Sequence, residues 1–268
     1  MLISHGWMSR KEIQMKFKNT EVWGFEHAIR GMRNPKNSWA LSDSGPGCMK
    51  RSFATGEENS PLQCSVCPSN EWHGICHVNG EKGYVLGQKD LNLCQTLIKG
   101  GSEHRKFMRQ IFVSVDITAP LFWWKEFDTY KISTTSNSCS TMHKLANTPI
   151  SIDCFETDDY IETEVDGIRP DMIISYCEGL RLKYLETKEK RYWKELIRWL
   201  PDSWLQKRTI TLDYENIHSM IRQRSAHKLN EWSGQDCPDN PNFISWARSL
   251  PYADELLFYT LDNKNEAA

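Results

Sequence analysis

The first half of the chain shows hydrophobic patterns typical of short strands and amphipathic helices. Residues 16–23 predict a first strand, and Phe25–Met32 predicts a helix because its apolar residues recur on one helical face. Residues 42–62 are rich in Ser, Gly, Pro and charge and predict a loop. Asp90–Lys99 predicts a short helix that Asp90 caps and two following glycines end.

The second half is dominated by longer helical patterns. Phe107–Ile117 alternates in part and predicts a strand, and Leu121–Tyr130 predicts a helix that starts after a proline. Ser175–Leu200 predicts one long helix, and Thr211–Trp232 and Pro241–Tyr252 predict two more. Because helices outweigh strands in a mixed order, we expect the α+β class.

Composition permits a sizeable core and gives no global bias toward a charged partner. The chain has 268 residues, of which 39% are hydrophobic and eleven are tryptophan. Its net charge of -2 gives no overall attraction to nucleic acid or to an anionic membrane, so we expect neither as a partner.

Cysteine usage and hydropathy suggest a cytoplasmic protein. The sequence contains no 18-residue apolar run, so we expect no transmembrane helix. The N-terminal residues are too polar for a secretory signal. Nine cysteines without a signal point to reduced thiols, and the odd number argues against a complete disulfide framework.

A tract of small hydroxyl residues, Ser133–Thr141, is the most informative candidate site. It places many short donors and acceptors on one segment, which suits a phosphate or a nucleotide. The alternative is a flexible Ser/Thr-rich linker. The aromatic segment before the tract and the helix-like segment after it argue against a free linker.

A second candidate site lies in the polar insertion. Thiolates and imidazoles at short spacing can form a tetrahedral zinc site, and a small insertion without its own core would gain stability from one. The spacing matches no usual zinc pattern, so an ordinary reduced loop is the alternative. The candidate ligands are Cys64, Cys67, His73 and Cys76, with Cys48 as a further possibility.

Two further residues have both a binding and a structural interpretation. His104 stands among three basic residues, which would suit an anionic ligand, although a solvated basic strand edge would have the same composition. Arg224 has a planar guanidinium that can bind a phosphate or a pyrimidine edge. Its alternative role is that of a surface arginine paired with acidic neighbours.

The order of these features resembles the flavin-dependent thymidylate synthases (ThyX). The family pattern has a histidine after a Gly-rich turn, then a strand, then Ala-Pro, then a helix that leads to the signature RHRxxSxNExSxRY. Here the turn is Gly100-Gly101, the histidine is His104 and the Ala-Pro is Ala119-Pro120. Counted without a gap, the signature falls on residues 129–142.

The signature residues themselves have changed. Lys131 keeps a positive charge at an arginine position, and Thr134 keeps a hydroxyl at a serine position. Asn137 stands in place of glutamate and Cys139 in place of serine. Thr141 replaces the arginine that holds the dUMP phosphate in the family.

A later region matches the family layout more closely. The family pattern is Leu-Pro, then Thr-x-Asn-x-Arg-x-Leu, then Leu-Arg. Asp213 occupies the position where the family has a flavin-contacting asparagine, and Glu215 occupies the position where the family has an arginine. The positions that fall at this spacing are Leu200-Pro201, Thr211, Asp213, Ile217 and Arg224.

The resemblance implies a ThyX-like fold and its chemistry. It implies one domain over residues 1–268, with a central, mostly antiparallel sheet, long helices and the Cys/His insertion at about 42–83. It also implies a homotetramer that methylates dUMP to dTMP, or modifies a related pyrimidine nucleotide, with FAD, NADPH and methylenetetrahydrofolate. The implied flavin-binding residues are His104, Tyr130, Lys131, Thr134, Asp213 and Ser219, and the implied nucleotide-binding residues are Asn137, Cys139, Thr141 and Arg224.

The lost arginines favour an alternative without catalysis. Each charge-assisted hydrogen bond is worth about 1.5–3 kcal/mol, so losing two lowers affinity by about two to four decades. The alternative is a re-purposed protein of ThyX fold that binds another nucleotide and carries a zinc-stabilised insertion. A third possibility is an unrelated α+β enzyme.

Overall fold

The structure is a computed structural model that describes residues 15–46, 84–140, 145–157 and 165–261. It is an α+β fold with a four-stranded antiparallel sheet and a separate two-stranded ladder. In the part of the chain that it describes, no helix has the length and apolarity needed to cross a membrane. The α+β prediction is therefore confirmed.

The elements follow one another in mixed order. The strands are β1 (Lys16–Trp23), β2 (Gly45–Pro46), β3 (Tyr84–Val85), β4 (Phe112–Pro120), β5 (Thr135–Ser138) and β6 (Leu205–Asp213). The helices are α1 (Phe25–Arg33), α2 (Gln88–Lys99), α3 (Leu121–Phe127), α4 (Pro170–Thr187), α5 (Lys190–Trp199), α6 (Tyr214–Arg224), α7 (Asn230–Ser233) and α8 (Phe243–Arg248). A π-helix covers Ala253–Leu257, and the larger sheet has the order β1-β4-β6-β5.

The residues group into two compact units, each built from discontinuous segments. Among the described residues, the first, here called the sheet unit, contains residues 15–21, 114–140, 145–157, 165–211 and 224–246. Its core is rich in aromatic rings: Trp123 stacks on Phe127 and packs against Trp232, with ring centroids 5.0 and 4.5 Å away. The other described residues form the second unit.

A buried ion pair organises the second unit. Arg33 of α1 donates from Nε to Asp90 Oδ1 of α2 over 2.6 Å, and both side chains are buried. Asp90 Oδ2 also accepts bonds from the Ser42 hydroxyl and the Ser44 backbone N–H. Burial raises the pKa of Asp90, but the hydrogen bonds from these partners outweigh it and hold the pKa below its usual value.

The helix predicted over Ser175–Leu200 is two helices, so that prediction is wrong. The chain reverses at Lys188, which has the left-handed backbone φ of 58°. The turn brings Leu196 of α5 into one buried cluster with Cys177 and Leu180 of α4. No glycine or proline marks the turn, so the pattern of the sequence does not reveal it.

Two other predictions need correction. The helix predicted over Thr211–Trp232 begins only at Tyr214, because residues 205–213 form β6. The hydroxyl tract contains a strand, β5, which pairs antiparallel with β6. Thr135 lies opposite Thr211, and the Cys139 N–H continues the ladder to the Lys207 carbonyl over 2.9 Å.

Candidate functional site

The polar face of the larger sheet is centred on Asp116 of β4. Thr209 donates its hydroxyl to Asp116 Oδ1 over 2.6 Å, and Lys207 lies 2.8 Å from Oδ2. Asn19 of β1 donates to Oδ2 over 3.0 Å. Hydrogen bonds from Lys207, Thr209 and Asn19 lower the pKa of Asp116 to about 2. The carboxylate is therefore charged at neutral pH, and Lys207 balances its charge.

The edge strand β5 extends this face with short polar side chains. Asn137 lies directly opposite Thr209, and Thr135 lies opposite Thr211. Directly opposed residues point to the same side of a sheet, so these side chains share the face that carries Asp116. Both β5 residues are exposed. We call Thr135, Asn137, Thr209 and Thr211 the hydroxyl face.

A second polar group surrounds the carboxylate of Glu126 in α3. Arg224 donates from Nη1 to Glu126 Oε2 over 2.6 Å and from Nε to the Tyr130 hydroxyl over 2.9 Å. Trp232 donates from Nε1 to the same Glu126 oxygen over 2.9 Å. The guanidinium carbon of Arg224 also lies 4.8 Å from the centre of the Trp232 ring. We call Glu126, Tyr130, Arg224, His227 and Trp232 the Glu126 cluster.

His227 completes the Glu126 cluster. Its Nδ1 accepts the Leu229 backbone N–H over 3.2 Å. Its Nε2 lies 3.3 Å from Glu126 Oε2. The carboxylate of Glu126 is thus close to an arginine, an indole and an imidazole, and the hydrogen bonds from Arg224 and Trp232 hold it in place.

The pairing of Arg224 supports the structural interpretation of this residue. Its side chain is largely buried, and Glu126 is an acidic neighbour of the kind expected for an arginine that serves the fold. The structure brings Arg224 together with Tyr130, a predicted flavin contact, since the two share a hydrogen bond. Glu126 and Tyr130 together fix the orientation of the guanidinium.

The cations near the hydroxyl face are mostly neutralised. Arg208 lies 2.6 Å from Asp128 and 4.2 Å from the centre of the Trp124 ring. Lys125 pairs with Asp202. Lys131, in contrast, is exposed, and among the described residues no carboxylate lies within 4.0 Å of its amine. It is therefore a cation near the start of the tract that is available to an added anion.

The remaining predicted residues near the tract lie around the edge strand. Thr134 is half-buried, and its hydroxyl is 3.4 Å from the Ile132 carbonyl. Cys139 is an exposed free thiol whose backbone carbonyl accepts a bond from Gln206 Nε2 over 2.9 Å. Thr141 lies outside the described residues.

Three predicted flavin contacts belong to the second unit. Asp213 is buried, and its Oδ1 accepts the Asn216 backbone N–H over 2.8 Å, so the carboxylate caps α6. Ser219 is half-buried and accepts a bond from Gln223 over 3.3 Å. His104 is exposed, and its ring covers Gly100.

The charge of Glu215, which stands at a family arginine position, is compensated within the second unit. Arg105 donates from Nε to Glu215 Oε2 over 2.7 Å, and both side chains are largely buried. Arg105 precedes the central strand by only a few residues, but nothing in the sequence pairs it with a residue 110 positions away.

The proposed zinc ligands Cys64, Cys67, His73 and Cys76 lie outside the described residues. The two ends of the insertion are described. Gly45 pairs with Val85 and Pro46 with Tyr84, so the chain leaves and re-enters the second unit at one place. Within the described ranges, His, Cys, Asp and Glu form no group of three that could hold a metal.

An apolar groove of about 310 Å³ lies apart from all predicted site residues of the sheet unit. Its lining includes Ile152, Phe155, Pro170, Ile173, Ile174 and Pro201. It presents few polar groups to orient a nucleotide, so the hydroxyl face and the Glu126 cluster remain the candidate site.

Sequence reasoning missed Glu126, His227, Trp232 and Asp116. An acidic residue four positions before Tyr130 was one available signal for Glu126, since residues at that spacing share a helical face. A carboxylate among the alternating apolar residues of β4 was the corresponding signal for Asp116.

Comparisons with known proteins identify the fold. No protein-family model and no curated protein sequence matches the chain. A crystal structure of the flavin-dependent thymidylate synthase ThyX from Helicobacter pylori with FAD and dUMP superposes with a TM-score of 0.54 at 15% identity. The match covers 92% of this chain and 98% of that one.

A second crystal structure of Helicobacter pylori ThyX with FAD and dUMP gives the same result. Its TM-score is 0.53 at 15% identity, and the match covers 92% of this chain and 97% of that one. Similarity over almost the whole of both chains leaves little room for an accidental resemblance. The chain therefore has the fold of the flavin-dependent thymidylate synthases.

Proposed function

We propose that the chain binds a uracil deoxynucleotide and transfers a one-carbon unit to it in a flavin-dependent reaction, from dUMP to dTMP or to a related modified pyrimidine. The hydroxyl face carries the proposal. It places four short polar side chains on one sheet surface, whose edge strand begins four residues after Lys131, in a chain whose fold matches enzymes crystallised with FAD and dUMP. Such side chains suit the hydroxyls and phosphate of a nucleotide.

In this proposal the nucleotide lies along β5. Asn137 offers both an amide donor and a carbonyl acceptor to the uracil edge or the sugar. Cys139 would line the same strand edge, and Thr141 remains a predicted nucleotide contact. Arg224 would orient the pyrimidine through its guanidinium, which Glu126 and Tyr130 hold in place.

The described residues fit a flavin near the end of α3. Tyr130 supplies a half-buried aromatic ring, Lys131 an uncommitted cation and Thr134 a hydroxyl. FAD, when bound, would supply the hydride that reduces the transferred carbon, with NADPH as the reductant and methylenetetrahydrofolate as the carbon donor. His104, Asp213 and Ser219 of the second unit remain predicted flavin contacts.

The test is whether the purified protein takes up both ligands. We expect flavin absorbance to remain with the protein after FAD is added and excess FAD is removed, and dUMP to raise its melting temperature. Deoxyadenosine monophosphate serves as the matched control, since it keeps the sugar and phosphate but changes the base. Absence of bound flavin together with no shift by dUMP would exclude the proposal.

One observation favours a second candidate, a nucleotide-binding protein without catalysis. Arg224, Arg208 and Lys207 are each paired with a carboxylate of the same unit, which leaves little net positive charge for two phosphorylated ligands. A nucleotide-induced shift in melting temperature without flavin binding would support this candidate.

The proposal includes a zinc site in the insertion. Because both ends of the insertion are held in one ladder, a zinc ion at Cys64, Cys67, His73 and Cys76 would stabilise a closed segment. Metal analysis of the purified protein tests this site.

We further propose a cytoplasmic homotetramer, with sedimentation velocity as the measurement of the number of subunits.

A further inference from the structure

The carboxylate of Glu126 makes all of its contacts through one oxygen atom. Arg224 Nη1 donates to Oε2 over 2.6 Å, Trp232 Nε1 donates to the same atom over 2.9 Å, and His227 Nε2 lies 3.3 Å from it. Within the described residues, the other oxygen, Oε1, accepts no hydrogen bond. The side chain is 32% exposed. The Glu126 cluster therefore presents an acceptor that its own residues do not use.

Arg224 also keeps a donor that the fold does not use. Its Nε donates to the Tyr130 hydroxyl and its Nη1 to Glu126, whereas Nη2 donates to no residue that the structure describes. A guanidinium presents its N–H donors in one plane. Arg224 Nη2 and Glu126 Oε1 belong to the two groups that one hydrogen bond joins, so an unused donor and an unused acceptor lie close together.

An arginine–carboxylate pair elsewhere in the sheet unit uses all of these atoms. Arg181 donates from Nε and Nη2 to the two oxygens of Glu178, over 2.7 and 2.6 Å. Its Nη1 donates to the Ala146 carbonyl over 3.1 Å. Pairing through both oxygens is the frequent arrangement of arginine with a carboxylate. The pair of Glu126 and Arg224 departs from it and leaves atoms that a ligand can complete.

We propose that Glu126 reads the base of the nucleotide, and that the site accepts the cytosine deoxynucleotide dCMP as well as dUMP. The 4-amino group of cytosine donates to Glu126 Oε1, while N3 and O2 accept from the guanidinium of Arg224. Glutamate accepts from this amino group in nucleic-acid recognition as well. The inference rests on the proposed function for the placement of a pyrimidine at Arg224.

Cytosine and uracil differ at the edge that would meet Glu126 and Arg224. Cytosine has a donor at position 4 followed by two acceptors, N3 and O2, which matches a carboxylate oxygen followed by the donors of a guanidinium. Uracil has an acceptor at position 4, and this carbonyl oxygen would face the carboxylate with no proton between them. Turned so that its N3–H reaches Oε1, uracil leaves one carbonyl without a donor from Arg224. Cytosine therefore binds more tightly than uracil.

Calorimetry on the parent chain, with FAD added, tests the role of the amino group. We expect dCMP to bind roughly tenfold more tightly than dUMP, the effect of one hydrogen bond to a charged group. The matched ligand is the deoxynucleotide of 2-pyrimidinone, which keeps N3, O2, the sugar and the phosphate but has hydrogen at position 4. This ligand should lose the advantage of dCMP. Equal binding of dCMP and the 2-pyrimidinone nucleotide would overturn the inference.

The variant Glu126→Gln tests the same contact from the side of the protein. Arg224 and Trp232 both donate to Oε2, so they should hold the amide oxygen of glutamine at that place. The amide nitrogen then takes the place of Oε1. A donor there matches O4 of uracil and opposes the amino group of cytosine. The ratio of the two dissociation constants should therefore reverse in favour of dUMP.

Glu178→Gln is the matched control for this variant. It also removes a carboxylate paired with an arginine of the sheet unit, but it leaves Glu126 unchanged. Both nucleotides are measured on each variant, so a change in the fraction of folded protein affects the two dissociation constants equally. An unchanged preference in Glu126→Gln, or the same reversal in Glu178→Gln, would contradict the role of Glu126.

The outcomes separate this inference from the proposed function. Flavin uptake with tighter binding of dUMP than of dCMP would exclude the role of Glu126 and leave the proposed function intact. Binding of dCMP without binding of dUMP would support the role of Glu126 and exclude a uracil substrate. Binding of neither nucleotide would exclude both.

Discussion

Arg224 and Tyr130 are joined by a hydrogen bond of 2.9 Å from Nε to the phenolic oxygen, although 94 positions separate them in the chain. One residue ends α6, and the other follows the helix that leads into the hydroxyl tract. The bond therefore links the predicted pyrimidine-binding arginine to the segment predicted to hold the flavin. Glu126 fixes the same guanidinium from a second side.

Replacing Glu126 with glutamine should destabilise the sheet unit. The change leaves the guanidinium of Arg224 without its carboxylate in a largely buried position, and we expect a loss of about 1–3 kcal/mol in the free energy of unfolding. Urea denaturation measures this loss. Glu186→Gln breaks an exposed ion pair on α4 and should cost under about 0.5 kcal/mol. Equal losses in the two variants would contradict the role of the Glu126 cluster.

Replacing Lys131 with alanine should weaken flavin binding. This side chain is exposed and has no carboxylate partner within 4.0 Å among the described residues, so it is free to meet a phosphate of FAD. A charge-assisted bond is worth about 1.5–3 kcal/mol, so calorimetry should show the dissociation constant for FAD rising by about one to two decades. Lys125→Ala, which removes an amine already paired with Asp202, is the matched control. Similar effects of both changes would point to a non-specific charge effect.

Stability should fall in mild acid because of His218. This side chain is fully buried, and burial lowers its pKa to about 4 from an unfolded value near 6.5. Between these values the unfolded chain binds a proton that the native protein excludes, so stability is complete above pH 6.5 and decreases as the pH falls toward 4. At pH 5 the loss should be roughly 2 kcal/mol.

The variant His218→Gln isolates this contribution. Glutamine can still donate to the Leu257 carbonyl, which His218 Nδ1 contacts at 2.8 Å, but it does not titrate. Unfolding measured from pH 7 to pH 5 should show a smaller decrease for the variant than for the parent. Parallel curves would show that His218 does not cause the acid sensitivity.

Replacing Arg33 with methionine should strongly destabilise the second unit. Asp90 would keep its charge in a buried site, and breaking such a pair typically costs about 3–5 kcal/mol. Arg30→Met, on the same helix but exposed, should change the free energy of unfolding by less than about 0.5 kcal/mol. Thermal or urea unfolding distinguishes the two. A mild effect at Arg33 would mean that Ser42 and Ser44 suffice to hold Asp90.

Elements with clear periodicity could be predicted from the sequence. The strand at residues 16–23 and the helix from Phe25 are confirmed with nearly the predicted bounds. The central strand begins later than predicted because Lys106–Gln110 forms a short 3-10 helix. The strand β6 was not predicted, because the buried Gln206 interrupts the alternation of apolar residues. The side chain of Gln206 donates a hydrogen bond to the Cys139 carbonyl.

The candidate site was harder to predict because distant residues build it. The contacts of Glu126 with Arg224 and Trp232 span 98 and 106 positions, and no local pattern encodes them. The hydroxyl tract was recognisable by composition, but its partners on β6 follow from strand pairing alone. The layout shared with the ThyX family, rather than single residues, indicated the fold.

The ladder of Gly45 with Val85 holds the two ends of the insertion side by side. Paired positions in an antiparallel ladder lie about 4.5–5.5 Å apart, so a two-residue turn could join the strands directly. Replacing residues 47–83 with Asn-Gly should therefore keep Gly45 paired with Val85 and Pro46 paired with Tyr84.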